Sequence, residues 1–209
     1  TSAALGVRAA SEYTFVIYVS PVGPYFKEKI ELLNLKVETN FHRAAQKGIG
    51  NAKAIGNYSA SLYPLSKAKK EGFDEVIYLD SVNGDKIEEI GSANLFIINN
   101  GILKTPKLSG SILDGVTRDS ICKIGSNILG LKVEETDIFL EDLFESEEVF
   151  CTGTAVEVAP IAKVTYKNKC YEFNKGQIGP VTKKLKKTLI NLQRDEIKSH
   201  FDWIYPITN

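Results

Sequence analysis

The chain has 209 residues, 43% of them hydrophobic and 25% charged, with 26 basic and 26 acidic side chains. That length and balance suit one globular domain with a substantial core and exclude a disordered or fibrous chain. Zero net charge leaves no basic excess for nucleic acid or an anionic surface, and no apolar run nears the roughly 20 residues of a membrane span, so neither partner is expected.

Glu12–Ser20 is rich in β-branched and aromatic residues and stops at Pro21, which predicts a strand; Leu35–Glu38 alternates and predicts a second. Gly48-Ile49-Gly50-Asn51-Ala52-Lys53-Ala54-Ile55-Gly56-Asn57-Tyr58 places a glycine-flanked lysine at the opening of a helix. That helix runs from Asn57 to Gly72, with Leu62, Leu65 and Ala68 at helical spacing. Pro64 falls inside it and predicts either a kink or a regular part confined to the second half.

Glu75–Asp80 reads as a short apolar strand before an Asn83-Gly84 turn. Leu95–Asn99 and Ile102–Thr105 flank Asn100-Gly101, a hairpin signal because a type I′ turn needs positive φ at both central residues. Thr117 is placed to cap a helix whose Ile121, Ile124 and Ile128 share a face, and which ends at Gly130 before a strand around Val133. Val149–Cys151 leads into a Thr152-Gly153-Thr154-Ala155 turn, and Ala162–Tyr166 pairs with Cys170–Phe173. Pro180 opens a last helix with Val181, Leu185, Leu189 and Leu192 on its apolar face and Lys183, Lys184, Lys186 and Lys187 solvated. No linker or repeat divides residues 1–209, so a single mixed α+β domain is expected.

Cys122, Cys151 and Cys170 are far apart and lack CxxC spacing, which predicts reduced thiols without a disulfide framework or zinc site. His42 and His200 have no partners in sequence, so no metal is expected. The start of the chain has no signal-peptide core, and Thr1 is not an initiator residue. A cytoplasmic location is expected, or an organellar one if a targeting segment preceded Thr1.

A lysine amine is the side-chain nitrogen that condenses with an aldehyde, and pyridoxal phosphate is the obvious aldehyde. On the segment alone, a solvated lysine in a Gly/Asn-rich turn is the commoner explanation. Other segments supply what such a cofactor needs. Glu89 is a candidate acid for the pyridine nitrogen, although Glu88-Glu89 read alone is a solvated acidic pair. Gly115-Val116-Thr117 opens a helix whose free N–H groups suit a phosphate, and Thr152–Ala155 offers hydroxyls and backbone N–H groups. Tyr58 lies where it can reach the phenolic oxygen, and Arg43 can add positive charge near the phosphate or else is an ordinary surface arginine.

Phe41-His42-Arg43-Ala44, Gly48-x-Gly50-x-x-Lys53-x-x-Gly56-Asn57-Tyr58, Tyr78-Leu79-Asp80, Glu88-Glu89-x-x-x-x-Asn94-Leu95-Phe96, Ile112-Leu113-x-Gly115-Val116-Thr117-Arg118 and Gly153-Thr154-Ala155 occur here in order. Together they resemble the branched-chain amino acid aminotransferases of the fold type IV pyridoxal phosphate enzymes, from about Tyr13 to Asp202-Trp203. The resemblance implies a large cofactor-binding domain with a mixed sheet or pseudo-barrel and flanking helices. It implies that Lys53 carries the pyridoxal 5′-phosphate aldimine and moves the substrate proton, with Glu89 at the pyridine nitrogen and Tyr58 at the phenolic oxygen. Val116, Thr117 and Thr154 would hold the phosphate, Arg43 would belong to the cofactor site, and the Ala155 N–H would bind the substrate carboxylate. The implied reaction moves the amino group of leucine, isoleucine or valine to 2-oxoglutarate, giving glutamate, in a homodimer. D-amino acid transamination and aminodeoxychorismate lysis are the related alternatives. Ile49 replaces the family's usual threonine, and the family's smaller N-terminal domain is expected to be missing, which leaves a non-catalytic fragment as a further alternative.

Overall fold

The computed structural model of the chain describes residues 5–21, 32–198 and 201–206. Its strands are β1 (Leu33–Glu38), β2 (Glu75–Leu79), β3 (Ile87–Ile90), β4 (Ala93–Asn99), β5 (Ile102–Pro106), β6 (Val133–Thr136), β7 (Glu148–Gly153), β8 (Glu157–Tyr166) and β9 (Lys169–Glu172). Its helices are α1 (Ile55–Lys70), α2 (Val116–Asn127), α3 (Leu140–Phe144) and α4 (Pro180–Gln193).

Six strands close into a mixed barrel with flanking helices, as the α+β reading expected. β1 is parallel to β2 on one side and to β8 on the other. Antiparallel pairings then run from β2 to β3, β4, β7 and back to β8. Closure works because β4 divides one edge: Ala93 and Asn94 pair with β3, while Ile97–Asn99 pair with β5. β6 extends β5 in parallel and β9 borders β8. The parallel pairs β1/β2 and β5/β6 are joined through α1 and α2, the crossovers that parallel pairing requires.

Side-chain alternation sorts the barrel into two faces. Leu33, Leu35, Ile77, Leu95, Ile97, Cys151 and Ile161 fill the interior. Phe96 and Phe150 point outward, stack at 5.1 Å between centroids, and pack under Ile121 and Ile124 of α2 and Leu185 and Leu189 of α4. Each ring buried this way contributes about 2–3 kcal/mol of transfer free energy. With Leu95 and Cys151 inside, their neighbours Asn94 and Thr152 emerge on the outer face. The register sets Glu89 opposite Asn94 and Asn94 opposite Thr152, so three polar side chains form one row there.

β3 departs from alternation. Tyr78 faces Glu89 and Leu79 faces Ile87, so Glu88 is an extra residue, a β-bulge. Ile87 and Ile90 both enter the interior, leaving Glu88 and Glu89 together outside it.

Several sequence expectations are corrected. Glu12–Ser20 forms no strand and its Tyr13, Phe15, Ile17 and Val19 are exposed, because a strand needs a ladder partner and none pairs with it among the described residues. α1 runs unbroken through Pro64, which is buried; its inward face is Asn57, Ser61, Pro64 and Ala68, while Leu62 faces solvent. Thr117 is not the cap of α2: Gly115 is, and no side chain caps that end. Ile128 is the C-cap residue and half-exposed, outside the buried face of Ile121 and Ile124. The Asn100-Gly101 hairpin forms as expected, with φ of 51° and 70°. Gly130, at φ 64°, follows α2. The three cysteines are free, and among the described residues no cluster could hold a metal ion and no helix is long and apolar enough to cross a membrane. His200 lies outside the described residues.

Candidate active site

A cavity of about 360 Å³ opens on the outer face where α1 and α2 begin. Arg43, Lys53, Tyr58, Glu89, Val116, Thr117 and Thr154 all line it. Of the expected site residues only Ala155 is not in the lining; it sits in the exposed turn that follows β7, next to Thr154. Segments far apart in sequence are therefore brought to one place by the closed sheet.

Lys53 lies just before α1, whose N-cap is Ala54. Its loop is fixed by backbone and side-chain bonds rather than by packing. The Asn57 amide donates to the Ile49 carbonyl at 2.8 Å and to the Ala52 carbonyl at 2.9 Å, drawing the loop over the first turn of the helix. The Asn51 N–H donates to the Gly110 carbonyl at 3.1 Å. Gly50 lies so close to the Ser111 backbone that a Cβ would overlap it. The exposed Lys53 amine is left 5.9 Å from the centre of the Tyr58 ring.

The floor is Glu89, which is buried rather than solvated. Its Oε1 accepts from the Asn94 amide at 2.8 Å and the Leu113 N–H at 3.0 Å. Its Oε2 pairs with the Arg43 guanidinium at 2.6 Å, both side chains being about 4% exposed. Arg43 also donates to the Ser111 carbonyl, so its charge is committed to the carboxylate end of the cavity. Burial pushes the Glu89 carboxyl up to about 7, against the pull of Arg43 and the Leu113 N–H, with Glu88 pushing it further up.

The opposite wall presents hydrogen-bond donors that could receive an anion, beside the Asp114 carboxylate. Gly115, Val116 and Thr117 form the start of α2, a twelve-residue helix without a side-chain cap, so its first N–H groups and dipole face the cavity. Gly115 is needed there because a Cβ would strike the Asn94 carboxamide. Thr152, fully buried in the lining, has a hydroxyl without a partner among the described residues, and Gly153 and Thr154 continue the wall.

Sequence reasoning assigned no role to Asn94, Asn57 or the Ser109–Ser111 loop, and expected Thr152 only as part of the Thr152–Ala155 turn. A signal existed for Asn94: five residues after Glu89 across a tight turn, it was bound to face Glu89 in an antiparallel pair. Nothing in the sequence pointed to Ser111, whose contacts to Arg43, Glu88 and Gly50 are all long-range.

The donor set matches pyridoxal 5′-phosphate: an amine for the aldehyde, a carboxylate for the ring nitrogen, and an uncapped helix start with an orphaned hydroxyl for the phosphate.

Residues 1–164 match the family model for amino-transferase class IV. The chain is 45% identical over 203 residues to the chloroplastic branched-chain amino acid aminotransferase 3 of Arabidopsis thaliana, covering 97% of this chain and 49% of that protein. It is 48% identical over 207 residues to the mitochondrial branched-chain amino acid aminotransferase 1 of Humulus lupulus, covering 99% and 52%. The Escherichia coli branched-chain aminotransferase superposes with a TM-score of 0.78 at 36% identity, covering 88% of this chain and 59% of that one. The Thermobaculum terrenum enzyme in its PLP form superposes at 0.69 and 27% identity, covering 77% and 50%. The chain thus spans about half the length of the curated relatives it matches. On the family match over most of its length and on the fold, the chain belongs to the class IV aminotransferases, with branched-chain amino acid aminotransferases as its relatives.

Proposed function

We propose that the chain binds pyridoxal 5′-phosphate through Lys53 and carries the cofactor-binding half of a branched-chain amino acid aminotransferase. The observation that carries this is the convergence of Lys53, Glu89 and the uncapped start of α2 on one cavity. When bound, the cofactor supplies an aldehyde and an electron-accepting ring. Lys53 presents the amine and, once freed, holds the proton removed from the substrate Cα. Glu89, held by Asn94, Leu113 and Arg43, keeps a negative charge against the ring nitrogen and so keeps that nitrogen protonated. Tyr58 serves the phenolic oxygen beside Lys53. Val116 and Thr117 with Thr154 bind the phosphate, and the Ala155 N–H receives the substrate carboxylate.

The substrates on this reading are leucine, isoleucine or valine and 2-oxoglutarate, in a homodimer. The names of the plant relatives favour an organelle over the cytoplasm. Adding pyridoxal phosphate is expected to give a visible absorbance band that Lys53→Ala abolishes; folded protein without such a band refutes the reading. Leucine and 2-oxoglutarate turnover decides the activity separately. The chain's span of about half its relatives supports a second reading, a cofactor-binding but non-catalytic fragment, which turnover by this chain alone would dispose of.

A further inference from the structure

The bulge in β3 brings a second carboxylate to the floor of the cavity. Glu88 is as buried as Glu89. The Glu88 Oε1 contacts the Ser111 hydroxyl, which in turn lies 2.8 Å from the Ser109 hydroxyl, while the Glu88 Oε2 has no hydrogen-bond partner among the described residues. Ser111 is the residue whose carbonyl receives the Arg43 guanidinium. Two buried carboxylates therefore flank a single buried cation, and only Glu89 is in direct contact with it. In a regular strand consecutive side chains point to opposite faces, so Glu88 would enter the barrel interior; the extra residue turns it outward beside Glu89.

We infer that Glu88 is a charge-setting residue of this site: buried and turned outward beside Glu89 by the bulge, it raises, whenever it is ionised, the proton affinity of Glu89 and of whatever base Glu89 faces. Glu89 is faced by Arg43, by Arg118 from α2, and by the neutral Asn94 and Leu113 N–H. Glu88 is faced by Arg43, His42, Asp80 and the Ser111 hydroxyl. Burial raises the Glu88 carboxyl, while Ser111 and Arg43 favour its ionised form. Arg118 is paired with Glu135 at 2.6 Å, so Glu88 and Glu89, when both are charged, outnumber the one guanidinium committed to them, Arg43, which favours a protonated ring nitrogen above them. That consequence rests on the proposed function; the charge coupling itself does not.

The test is a titration of the cofactor-free chain labelled at glutamate carboxyl carbons, with the Glu89 signal assigned by its loss in Glu89→Gln. Glu88→Gln is expected to lower the Glu89 midpoint by about half a pH unit or more. Ser111→Ala is expected to lower it by less, because Glu88 without that hydroxyl keeps its own proton longer. A folded Glu88→Gln protein with an unmoved Glu89 midpoint overturns the inference. Should Glu88→Gln not fold, Ser111→Ala decides: a downward shift supports the coupling and no shift overturns it. Failure to bind pyridoxal phosphate would remove the proposed function and leave this titration untouched.

Discussion

The stability of the cofactor-free protein should fall as pH rises from about 5 to about 8, opposite to the usual behaviour of carboxylates stabilised by folding. Glu89 has a carboxyl raised from 4.5 to about 7, chiefly by burial and despite Arg43. A carboxyl raised on folding binds more protons in the native state than in the unfolded one throughout that window. Stability is then fully present below the unfolded value and is lost as pH climbs through the folded one. At 1.36 kcal/mol per unit, Glu89 alone removes about 3 kcal/mol. Glu75, likewise raised to about 7 by burial, removes a similar amount, and Glu88 acts in the same direction. The groups that oppose this lie outside the window. Glu71, Asp80, Glu134 and Asp137 are lowered, so their contribution is complete before pH 5 is reached; Cys122 and Cys151, raised to about 11 and about 12, do not oppose it but act in the same direction, above the window. With a urea m-value of about 2 kcal/mol/M, 3 kcal/mol moves the midpoint by about 1.5 M. Urea melts followed by tryptophan fluorescence and circular dichroism at a series of pH values measure this. Glu89→Gln should flatten the slope while lowering stability throughout, since it strands the buried Arg43. A midpoint that stays level or rises from pH 5 to 7.5 refutes the assignment of these carboxyls as raised.

Gly115→Ala keeps an allowed backbone, φ −76° and ψ 131°, but drives a methyl into Asn94, so it should cost about 1–3 kcal/mol in a urea melt and weaken cofactor binding with it. Asp80→Ala should cost about 2–4 kcal/mol, because the Asp80 carboxylate accepts from the N–H groups of Val82, Asn83, Asp85 and Lys86; circular dichroism melts read the loss. Gly50→Ala should cost the Lys53 absorbance band with pyridoxal phosphate while the fold survives, whereas Gly56→Ala, with nothing within 4 Å of its Cβ, should leave the band intact. Glu148→Ala should loosen the start of α4 by about 1–2 kcal/mol, since Glu148 accepts from the Val181 and Thr182 N–H groups; hydrogen exchange at those amides reports it.

What the sequence disclosed follows the range of the forces involved. The Asn100-Gly101 hairpin and the Gly179-Pro180 helix start were legible because their causes lie within a few residues. Lys53, Glu89 and Thr117 were legible because ordered motifs marked them, although periodicity alone gave no reason to join them. The strand expected at Glu12–Ser20 failed for the converse reason: β-propensity describes a surface that fits a sheet, and only a neighbour makes it one. The burial of Glu88 and Glu89 was hidden for the same reason. An adjacent acidic pair looks solvated until a bulge and a guanidinium from Arg43, 45 and 46 positions earlier in the chain, are placed against it.

The Ser109–Ser111 loop explains how a site made of such distant parts holds its shape. It has no regular structure, yet four connections end on it: Asn51 on Gly110, Gly50 against the Ser111 backbone, Arg43 on the Ser111 carbonyl and Glu88 on the Ser111 hydroxyl. The first two fix the loop that carries Lys53; the last two fix the charges around Glu89. Leu113, two residues further on, donates its N–H to Glu89, and Gly115 then opens the helix at the anion wall. A single stretch from Ser109 to Gly115 thus sets the amine, the carboxylate and the anion wall relative to one another. A displacement there would move all three together. Seven residues between β5 and α2 therefore determine whether the reactive groups face one cavity.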